Sequence, residues 1–420
     1  MTRLLLFTND YPYATGDAVF VDKEIRDLAA AFDDIAVFCY ARDTSVGVVD
    51  MPANVFLADN LFERAPDDGL LAPLRPRMLV ALVEAAWQEL RAGRLRRHLR
   101  LFLMGARVGI TGARRRAVRE AIAGDPDSVA YAFWGMGGGL ALPWLRGAGA
   151  RVVRLHRYDL YEQLSAEGYL PFRRFLLARA DRVLAISDDG ADHVRRTYGG
   201  AISEAKLRVS RLGVAGPDDF ERPGPQLQRT VVSCSAVSEV KRVGLIFEAL
   251  RSMPALSPER PVRWIHFGDG PLFDRLAARI ADAPPGLHIE LRGQVPNREV
   301  VEFYAQHRVD AFVNLSSSEG VPVSIMEAIA SGIPVVATAV GGTPEAVSHE
   351  LGSGELVAVD ADARAIGGVL RAVLDAPDGS YDPRALWRER YDVHVTGPLA
   401  AGLVRGALGD RARTHPKETP

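Results

Sequence analysis

The sequence predicts an α/β protein with two doubly wound parallel-sheet domains. Apolar runs typical of strands alternate with helical patterns along most of the 420 residues, an order that gives parallel sheets covered by helices. A polar, proline-rich stretch at residues 215–228 separates two halves of similar organisation. Between Val309 and Val347, a strand, a tight turn, a helix and another strand follow one another, which is the repeating unit of such sheets.

The composition excludes several classes of protein. Hydrophobic residues make up 48% and charged residues 25%, as in ordinary globular chains. The formal net charge is −2, so the chain as a whole does not indicate a nucleic-acid partner. Cys39 and Cys234 lie in apolar runs, where we expect buried reduced thiols and a cytoplasmic location. The apolar start is too short for a signal peptide, and no apolar run of about 18 residues predicts a membrane span.

In the first half, six apolar runs predict strands with helices between them. The predicted strands are Arg3 to Phe7, Ile35 to Tyr40, Val129 to Phe133, Val152 to Leu155, Arg182 to Ile186 and Leu207 to Arg211. A helical pattern from Val21 to Ala30 follows the first strand. Residues 42–76 contain several prolines and no clear period, which predicts a long irregular connection used as a binding loop or mobile segment.

A basic and apolar stretch follows, from Arg91 to Arg119. Its arginines alternate with leucine, phenylalanine and isoleucine. An amphipathic basic helix of this kind lies on an anionic membrane surface. The same pattern also fits a solvated face whose arginine stems cover apolar core, and the sequence leaves both interpretations open.

Polar residues stand where two strands of the first half end. His156 follows a predicted strand directly and Asp159 comes three residues later. Because the carboxyl ends of parallel strands meet at one edge of a sheet, His156 and Asp159 are candidates for a ligand site. Gly16 and Asp17 lie in the loop after the first strand, where a plain turn explains them.

The second half repeats the strand and helix order. Strands are predicted at Thr230 to Ser235, Val262 to Phe267, Leu287 to Leu291, Ala311 to Leu315, Pro334 to Ala337 and Glu355 to Val357. Lys241 and Arg242 follow the first of these strands, Gly268 the second and Val295 the third. A helix is predicted at Val323 to Ala330.

Two carboxylates bracket the turn and helix after residue 315. Glu319 lies in the turn and Glu327 in the helix, eight residues apart, which corresponds to roughly 12 Å along a helix. Between them, the backbone N–H groups of a helix start attract an anion. A nucleotide diphosphate sugar has this shape, because its anionic middle joins two ends rich in hydroxyl groups.

The pattern Glu319-x7-Glu327, with Gly320 and Pro322 in the turn and residues 341–345 (GGTPE) downstream, resembles the family-4 retaining glycosyltransferases of the GT-B fold. The resemblance covers nearly the whole chain and is most specific from Lys241 onward. It implies two Rossmann-like domains facing each other across a cleft. Residues 1–214 would bind the acceptor, 215–228 would be the linker and 229–394 would bind the donor. A helix at 395–410 would cross back to the first domain, before a disordered tail at 411–420.

The resemblance also implies roles for individual residues. Glu319 would contact donor sugar hydroxyls near the reacting carbon, Glu327 would accept hydrogen bonds from the ribose, and His156 would hydrogen-bond the sugar. The implied catalytic residues are Glu319, His156 and Lys241. The remaining donor-binding residues would be Arg242, Gly320, Val321, Pro322, Val323, Val295 and Gly268, and the acceptor or cleft loops would carry Gly16, Asp17 and Asp159.

One position departs from the family pattern. Relatives carry an arginine five residues before the lysine that binds the diphosphate, and this chain has Ala236 there. We hypothesise that Arg242, adjacent to Lys241, supplies the second positive charge. Because no Asp-x-Asp pair adjoins these residues in the sequence, we expect no metal, and the donor is a substrate and not a cofactor.

The sequence therefore predicts retaining transfer of a hexose-type sugar from a nucleotide diphosphate sugar to a saccharide or lipid-linked acceptor, in bacterial surface polysaccharide or glycolipid synthesis. The expected location is cytoplasmic or peripheral at the inner face of the membrane, with residues 91–119 as the contact. A nucleotide-sugar epimerase and a non-catalytic nucleotide-sugar-binding subunit on the same fold are the alternatives. An oxidoreductase is disfavoured, because no strand leads into a G-x-G-x-x-G turn.

Overall fold

The computed structural model describes residues 2–63, 76–125, 127–217, 223–224 and 226–414. Two compact units are present: unit 1 comprises the described parts of Met1–Arg211 and Gly397–Pro420, and unit 2 comprises those of Leu212–Thr396. Each unit has a hydrophobic core of its own, built around one parallel sheet.

The sheet of unit 1 has seven strands. These are β1 (Arg3–Phe7), β2 (Asp34–Cys39), β3 (Val55–Asn60), β4 (Val129–Ala132), β5 (Ala150–Leu155), β6 (Arg182–Ala185) and β7 (Leu207–Val209). All neighbours pair in parallel, in the order β3-β2-β1-β4-β5-β6-β7. Leu4, Leu5 and Leu6 of the central strand are fully buried because helices cover both faces of the sheet.

Helices surround this sheet. They are α1 (Ala18–Val21), α2 (Ile25–Ala31), α3 (Pro76–Arg91), α4 (Leu99–Arg114), α5 (Arg116–Gly124), α6 (Arg173–Arg179) and α7 (Asp188–Tyr198). Short 3₁₀ helices lie at Gly137–Trp144, Glu162–Leu164, Ala166–Gly168 and Glu204–Lys206.

The sheet of unit 2 has six strands. These are β8 (Arg229–Cys234), β9 (Val262–Phe267), β10 (Leu287–Leu291), β11 (Ala311–Asn314), β12 (Val335–Thr338) and β13 (Gly354–Val357), in the parallel order β10-β9-β8-β11-β12-β13. The helices are α8 (Val243–Arg251), α9 (Phe273–Ile280), α10 (Asn297–Gln306), α11 (Val323–Ala330), α12 (Ala363–Asp375), α13 (Pro383–Arg390) and α14 (Val393–Thr414), and a 3₁₀ helix lies at Thr343–Glu345.

The last helix, α14, starts in unit 2 and groups with unit 1 from Gly397 onward. Arg182 donates to the carbonyl of Leu403 and to the carboxylate of Asp410. Arg405 donates to the carbonyl of Ala31 over 2.8 Å. The helix continues to Thr414, past the predicted end at 410, and the predicted linker at 215–228 and tail at 411–420 lie partly outside the described residues.

Two predictions for unit 1 are wrong. The connection at residues 42–76 is not irregular throughout, because Val55–Asn60 forms β3. Residues 64–75 of this segment lie outside the described part of the chain. This strand pairs only with β2 at the edge of the sheet, so it carries fewer buried apolar residues than an inner strand and gave no clear period. The helix predicted from Val21 to Ala30 is split into α1 and α2, and Glu24 turns inward between them to pair with Arg154.

The described part of the chain has no helix that is both long and apolar enough to span a bilayer. The thiols of Cys39 and Cys234 form no disulfide, and burial raises the pKa of Cys39 to about 11 and that of Cys234 to about 12.

Candidate functional site

The turn between β11 and α11 places Glu319 beside Lys241, which comes from the loop after β8. The Lys241 Nζ atom lies 2.5 Å from Glu319 Oε1, although 78 positions separate the two residues. Glu319 is only 6% exposed. The amide of Asn314, the last residue of β11, donates to the same oxygen over 3.4 Å. Two residues that sequence reasoning assigned to the sugar and the diphosphate therefore form one preassembled pair.

Lysine has three N–H donors and can hold Glu319 while donating to a phosphate. The contact holds the ammonium group beside the turn that leads into α11. The arrangement suits electrostatic stabilisation of a developing negative charge, because the donor does not have to reorganise.

The backbone of the turn is itself fixed by neighbouring loops. Ser317 N donates to the carbonyl of Val240 over 2.8 Å, which ties the turn to the loop that carries Lys241. Gly341 has φ +52°, and a Cβ atom there would lie 2.0 Å from the carbonyl oxygen of Glu319. Only glycine fits this position, which explains physically why a glycine loop belongs to the motif.

Arg242 has partners that the sequence did not reveal. Its guanidinium donates to the carbonyls of Leu315 (2.6 Å), Val359 (2.7 Å) and Ser316 (3.5 Å). Of its five N–H donors, two remain for a phosphate. Arg242 therefore mainly stabilises the turn through these carbonyls. The predicted contact with a diphosphate would use its two remaining N–H donors. Ala236, at the position of the missing arginine, is exposed.

Gly320, Val321 and Pro322 lead into α11, whose first residue is Val323. Within the described chain, no side chain caps the start of this helix. The amides of Ile325 and Met326 bond to the carbonyl of Pro322, as in a normal first turn. The partial positive charge of the helix start therefore lies beside the Lys241–Glu319 pair without a side-chain acceptor.

Glu327 lies inside α11 and is 6% exposed. The side-chain amide of Asn297, the first residue of α10, donates to Glu327 Oε1 over 3.1 Å. A carboxylate accepts about four hydrogen bonds, so this contact is compatible with further donors such as ribose hydroxyls. Sequence reasoning missed Asn297, although it named Val295, two residues earlier, which is half-buried.

Gly268 lies where the loops after β8, β9 and β10 contact one another. Its N–H donates to the carbonyl of Gly293 over 2.8 Å. Its φ is +133°, and a Cβ atom there would lie 2.0 Å from the carbonyl of Ser235. The predicted donor-site residues of unit 2 thus all follow, or lie at, the carboxyl ends of β8, β9, β10 and β11. The strand order reverses between β8 and β11, which is where doubly wound sheets bind ligands.

Unit 2 contains an Asp-x-Asp pair, Asp360 and Asp362, after β13. The carboxylate of Asp362 accepts from the Ala365 amide over 2.7 Å and caps α12. Among the described residues of the chain, no three His, Cys, Asp or Glu side chains cluster as metal ligands would.

In unit 1, His156 follows β5 as predicted but is enclosed by aromatic rings. Its ring lies 3.8 Å from that of Trp134 and 5.3 Å from that of Phe133, measured between centroids. Both ring nitrogens are buried and have no hydrogen-bond partner among the residues that the structure describes. Burial and the charge of Arg154 lower the pKa of His156 well below its usual value, so the imidazole is neutral.

Asp159 holds the backbone of this loop. It is fully buried and accepts hydrogen bonds from the amides of Gly135 (2.7 Å) and His156 (2.6 Å). Burial raises the pKa of its carboxyl, while the charge of Arg173 opposes that shift. These contacts make Asp159 an anchor of the strand-end loop, and the acceptor contact stays a prediction.

Asp17 and Gly16 have a similar structural function. Asp17 accepts from the amides of Asn9, Asp10 and Tyr11 over 2.7–2.8 Å. A Cβ atom on Gly16, whose φ is +55°, would lie 1.9 Å from a carboxylate oxygen of Asp10. The two residues close the loop after β1, which agrees with the plain turn that the sequence left open.

Sequence reasoning also missed an aromatic stack at this edge of unit 1. The exposed ring of Tyr158 lies 4.9 Å from that of Trp134 and nearly parallel to it, at 18°. Trp134 in turn covers His156. Only the parallel pairing of β4 with β5 brings these residues together, because Trp134 follows β4 and the other two follow β5.

Two family models match this chain. The model described as Glycosyltransferase Family 4 matches residues 16–215, and the model described as Glycosyl transferases group 1 matches residues 218–389.

Two curated relatives are named for polysaccharide biosynthesis. The Escherichia coli K12 protein named putative colanic acid biosynthesis glycosyltransferase WcaL is 31% identical over 219 residues, which are 50% of this chain and 52% of that protein. The Erwinia amylovora amylovoran biosynthesis glycosyltransferase AmsK is 30% identical over 172 residues, 39% of this chain and 41% of that protein. The match to this chain thus spans about half the length of these relatives.

Solved structures share the fold over nearly the whole chain. The lipopolysaccharide outer core galactosyltransferase WaaB has a TM-score of 0.63 at 14% identity, covering 97% of this chain and 99% of that one. The sucrose-phosphate synthase of Thermosynechococcus elongatus has a TM-score of 0.69 at 16% identity, with the same coverage. The Anabaena protein HepE in complex with UDP has a TM-score of 0.60 at 17% identity, covering 96% and 98%. With its two parallel-sheet units, the chain belongs to family 4 of the glycosyltransferases, which have the GT-B fold.

Proposed function

We propose that this protein is a retaining glycosyltransferase that moves a hexose-type sugar from a nucleotide diphosphate sugar to a saccharide or lipid-linked acceptor. The observation that carries the proposal is the Lys241–Glu319 pair, 2.5 Å apart, at the uncapped start of α11. Glu327 lies farther along the same helix. The order of first carboxylate, helix start with its cation, and second carboxylate matches the order of sugar, diphosphate and ribose in such a donor.

In the proposed reaction, Lys241 and the backbone N–H groups of Gly320, Val321 and Val323 hold the diphosphate. As the bond from the anomeric carbon to the phosphate oxygen breaks, negative charge grows on that oxygen and these donors stabilise it. Glu319 holds the sugar hydroxyls, which orients the anomeric carbon.

The acceptor oxygen forms its new bond to the anomeric carbon on the face that the phosphate leaves. The departing phosphate oxygen takes the acceptor proton, so atoms and charge balance and the configuration is retained. We assign His156 a hydrogen bond to the sugar. Since both its nitrogens are enclosed, this role requires Trp134 or the imidazole ring to move.

We further propose that the transfer needs no metal, because an ammonium group and a helix start supply positive charge at the diphosphate. The expected test is unchanged turnover in EDTA. Loss of turnover that Mg²⁺ restores would contradict this part of the proposal.

The acceptor class is proposed from the relatives, which are named for colanic acid and amylovoran biosynthesis. We infer a role in assembling a bacterial surface polysaccharide or glycolipid, in the cytoplasm or at the inner face of the membrane. Solved structures of Anabaena HepE with UDP and with UDP-glucose support UDP-glucose as the first donor to test.

The decisive experiment is calorimetric titration with UDP, GDP, ADP, dTDP and NAD, in EDTA, followed by incubation of the matching nucleotide sugars with and without acceptor. We expect one diphosphate to bind, Glu327→Ala to weaken it about tenfold to a hundredfold, and an α-donor to give an α-product by NMR. Conversion of the donor without an acceptor would identify an epimerase. Binding with no turnover would indicate a binding subunit, and binding of NAD alone would refute the proposal.

A further inference from the structure

Helix α3 in unit 1 exposes a second apolar face. One face packs into the core through Met78, Ala81 and Ala85. The outward residues are Leu79, Val80, Val83, Trp87 and Leu90, whose exposure lies between 41% and 67%. At 100° per residue these five side chains occupy an arc of about 100°, so they form one stripe along the helix.

Helix α4 also exposes apolar side chains. Leu99, Leu103 and Met104 are each about half exposed. The end of α3 and the start of α4 are held at the same point, because Glu89 hydrogen-bonds Tyr169 while the His98 ring stacks on Tyr169 at 4.7 Å.

The charge around this surface has one sign. The exposed charged residues of segment 76–110 are Arg77, Arg91, Arg96, Arg97, Arg100 and Arg107. The segment has two acidic residues, Glu84 and Glu89, and both are paired with arginines, Glu84 with Arg179 and Glu89 with Arg94. The apolar stripe is therefore bordered by positive charge that no acidic neighbour in the segment compensates.

We propose that the outward faces of α3 and α4 dock on a lipid bilayer rich in anionic headgroups. Aliphatic side chains and a tryptophan enter the interface, while arginines reach the phosphates with their long stems. Aliphatic side chains with a tryptophan on one face, bordered by arginines with no uncompensated acidic neighbour in the segment, are the pattern of a helix that lies in the membrane interface. The surface extends the predicted stretch 91–119 to α3, whose apolar face the sequence did not single out.

Docking on a bilayer would also determine which class of acceptor the protein meets. Arg94, in the loop between α3 and α4, lies 2.5 Å from Glu162, which follows His156 and Asp159 in the next loop. The docked surface is thus tied directly to the loop at the end of β5. Resting on the proposed function, we infer that the acceptor is a lipid-linked saccharide that is presented at the bilayer surface.

The test is flotation of the full-length protein with vesicles of phosphatidylglycerol and phosphatidylcholine, compared with phosphatidylcholine alone. We expect binding to the anionic vesicles only, weakened at 0.5 M salt on the order of tenfold or more, as screening predicts. Val83→Ser with Trp87→Ser should reduce the partition coefficient about tenfold or more. Arg96→Gln with Arg97→Gln should reduce it by a similar factor on anionic vesicles only.

Leu399→Ser is the matched control, because Leu399 is a 62% exposed leucine on α14 and should leave vesicle binding unchanged. Binding of the nucleotide diphosphate, measured on each variant, separates the two proposals. Loss of vesicle binding with normal nucleotide binding in the α3 variant supports docking. Equal flotation of the wild type and the α3 variant would overturn the docking proposal. So would a wild type that binds no vesicles and forms a dimer that the α3 substitutions dissociate.

Discussion

Replacing Lys241 should weaken binding of the nucleotide diphosphate, whereas replacing Glu319 should leave that affinity equal or raise it. Glu319 is 6% and Lys241 26% exposed, so the contact is neither fully buried nor a surface pair. In Lys241→Met, a diphosphate loses a charged hydrogen bond that contributes about 1.5–3 kcal/mol. We therefore expect the dissociation constant of UDP, or of whichever diphosphate binds, to rise about tenfold to a hundredfold.

In Glu319→Gln, the ammonium loses its competing partner and a nearby negative charge disappears. A pair of this exposure is worth about 0.5–1 kcal/mol, so affinity for the diphosphate should stay equal or rise about twofold to fivefold. Turnover should nevertheless fall strongly, because Glu319 is proposed to hold the sugar. One substitution thus separates binding of the diphosphate from transfer of the sugar.

The assay is calorimetric titration of both variants, of the double variant and of Arg275→Met, which removes one exposed positive charge from α9 as a control. In the double variant, the gain from Glu319→Gln should vanish, because there is no ammonium left to release. The reasoning is refuted if Glu319→Gln weakens the diphosphate tenfold while Lys241→Met leaves it unchanged.

Three further predictions concern the scaffold. Gly341→Ala places a methyl group against the Glu319 carbonyl at φ +52° and should lower kcat about tenfold with unchanged circular dichroism; full activity would contradict the packing argument. Arg154→Met leaves Glu24 buried and unpaired, so the free energy of unfolding should fall by about 3–5 kcal/mol in urea titration, and adding Glu24→Leu should restore much of it. Burial lowers the pKa of His266 to about 4, so between pH 4 and 6.5 the unfolded state binds more protons and stability falls as pH falls. His266→Gln should remove up to about 3 kcal/mol of that pH dependence, and an unchanged profile would assign it to other groups.

Both parallel sheets were predictable from sequence, because strand and helix periods are local properties of the chain. Membership of a glycosyltransferase family was indicated by the resemblance of the motif from Glu319 to residue 345. The helix predicted at Val323–Ala330 has those bounds in the structure. A continuous apolar pattern between a turn and a glycine loop leaves few alternatives for such a segment. Inner strands such as β1 were found for the same reason, whereas β3 was missed because an edge strand needs fewer apolar residues.

The motif also indicated which residues could carry chemistry, but not what each one contacts. Sequence placed Lys241 and Arg242 side by side as two phosphate ligands. In the fold, adjacent residues point to different partners, one to the Glu319 carboxylate and the other to backbone carbonyls. The positive φ of Arg242, +48°, contributes to this divergence and has no sequence signature.

For Asp17, Asp159 and His156, the sequence determined only the position at a strand end. Whether such a carboxylate faces a ligand or holds backbone amides depends on how the neighbouring loop lies, and that is set by contacts between distant segments. The enclosure of His156 by Trp134 likewise requires β4 and β5 to be adjacent in the sheet. Local pattern therefore determined the elements and the residue types at their ends, while the pairing of strands and the packing of loops decided the partner of each side chain.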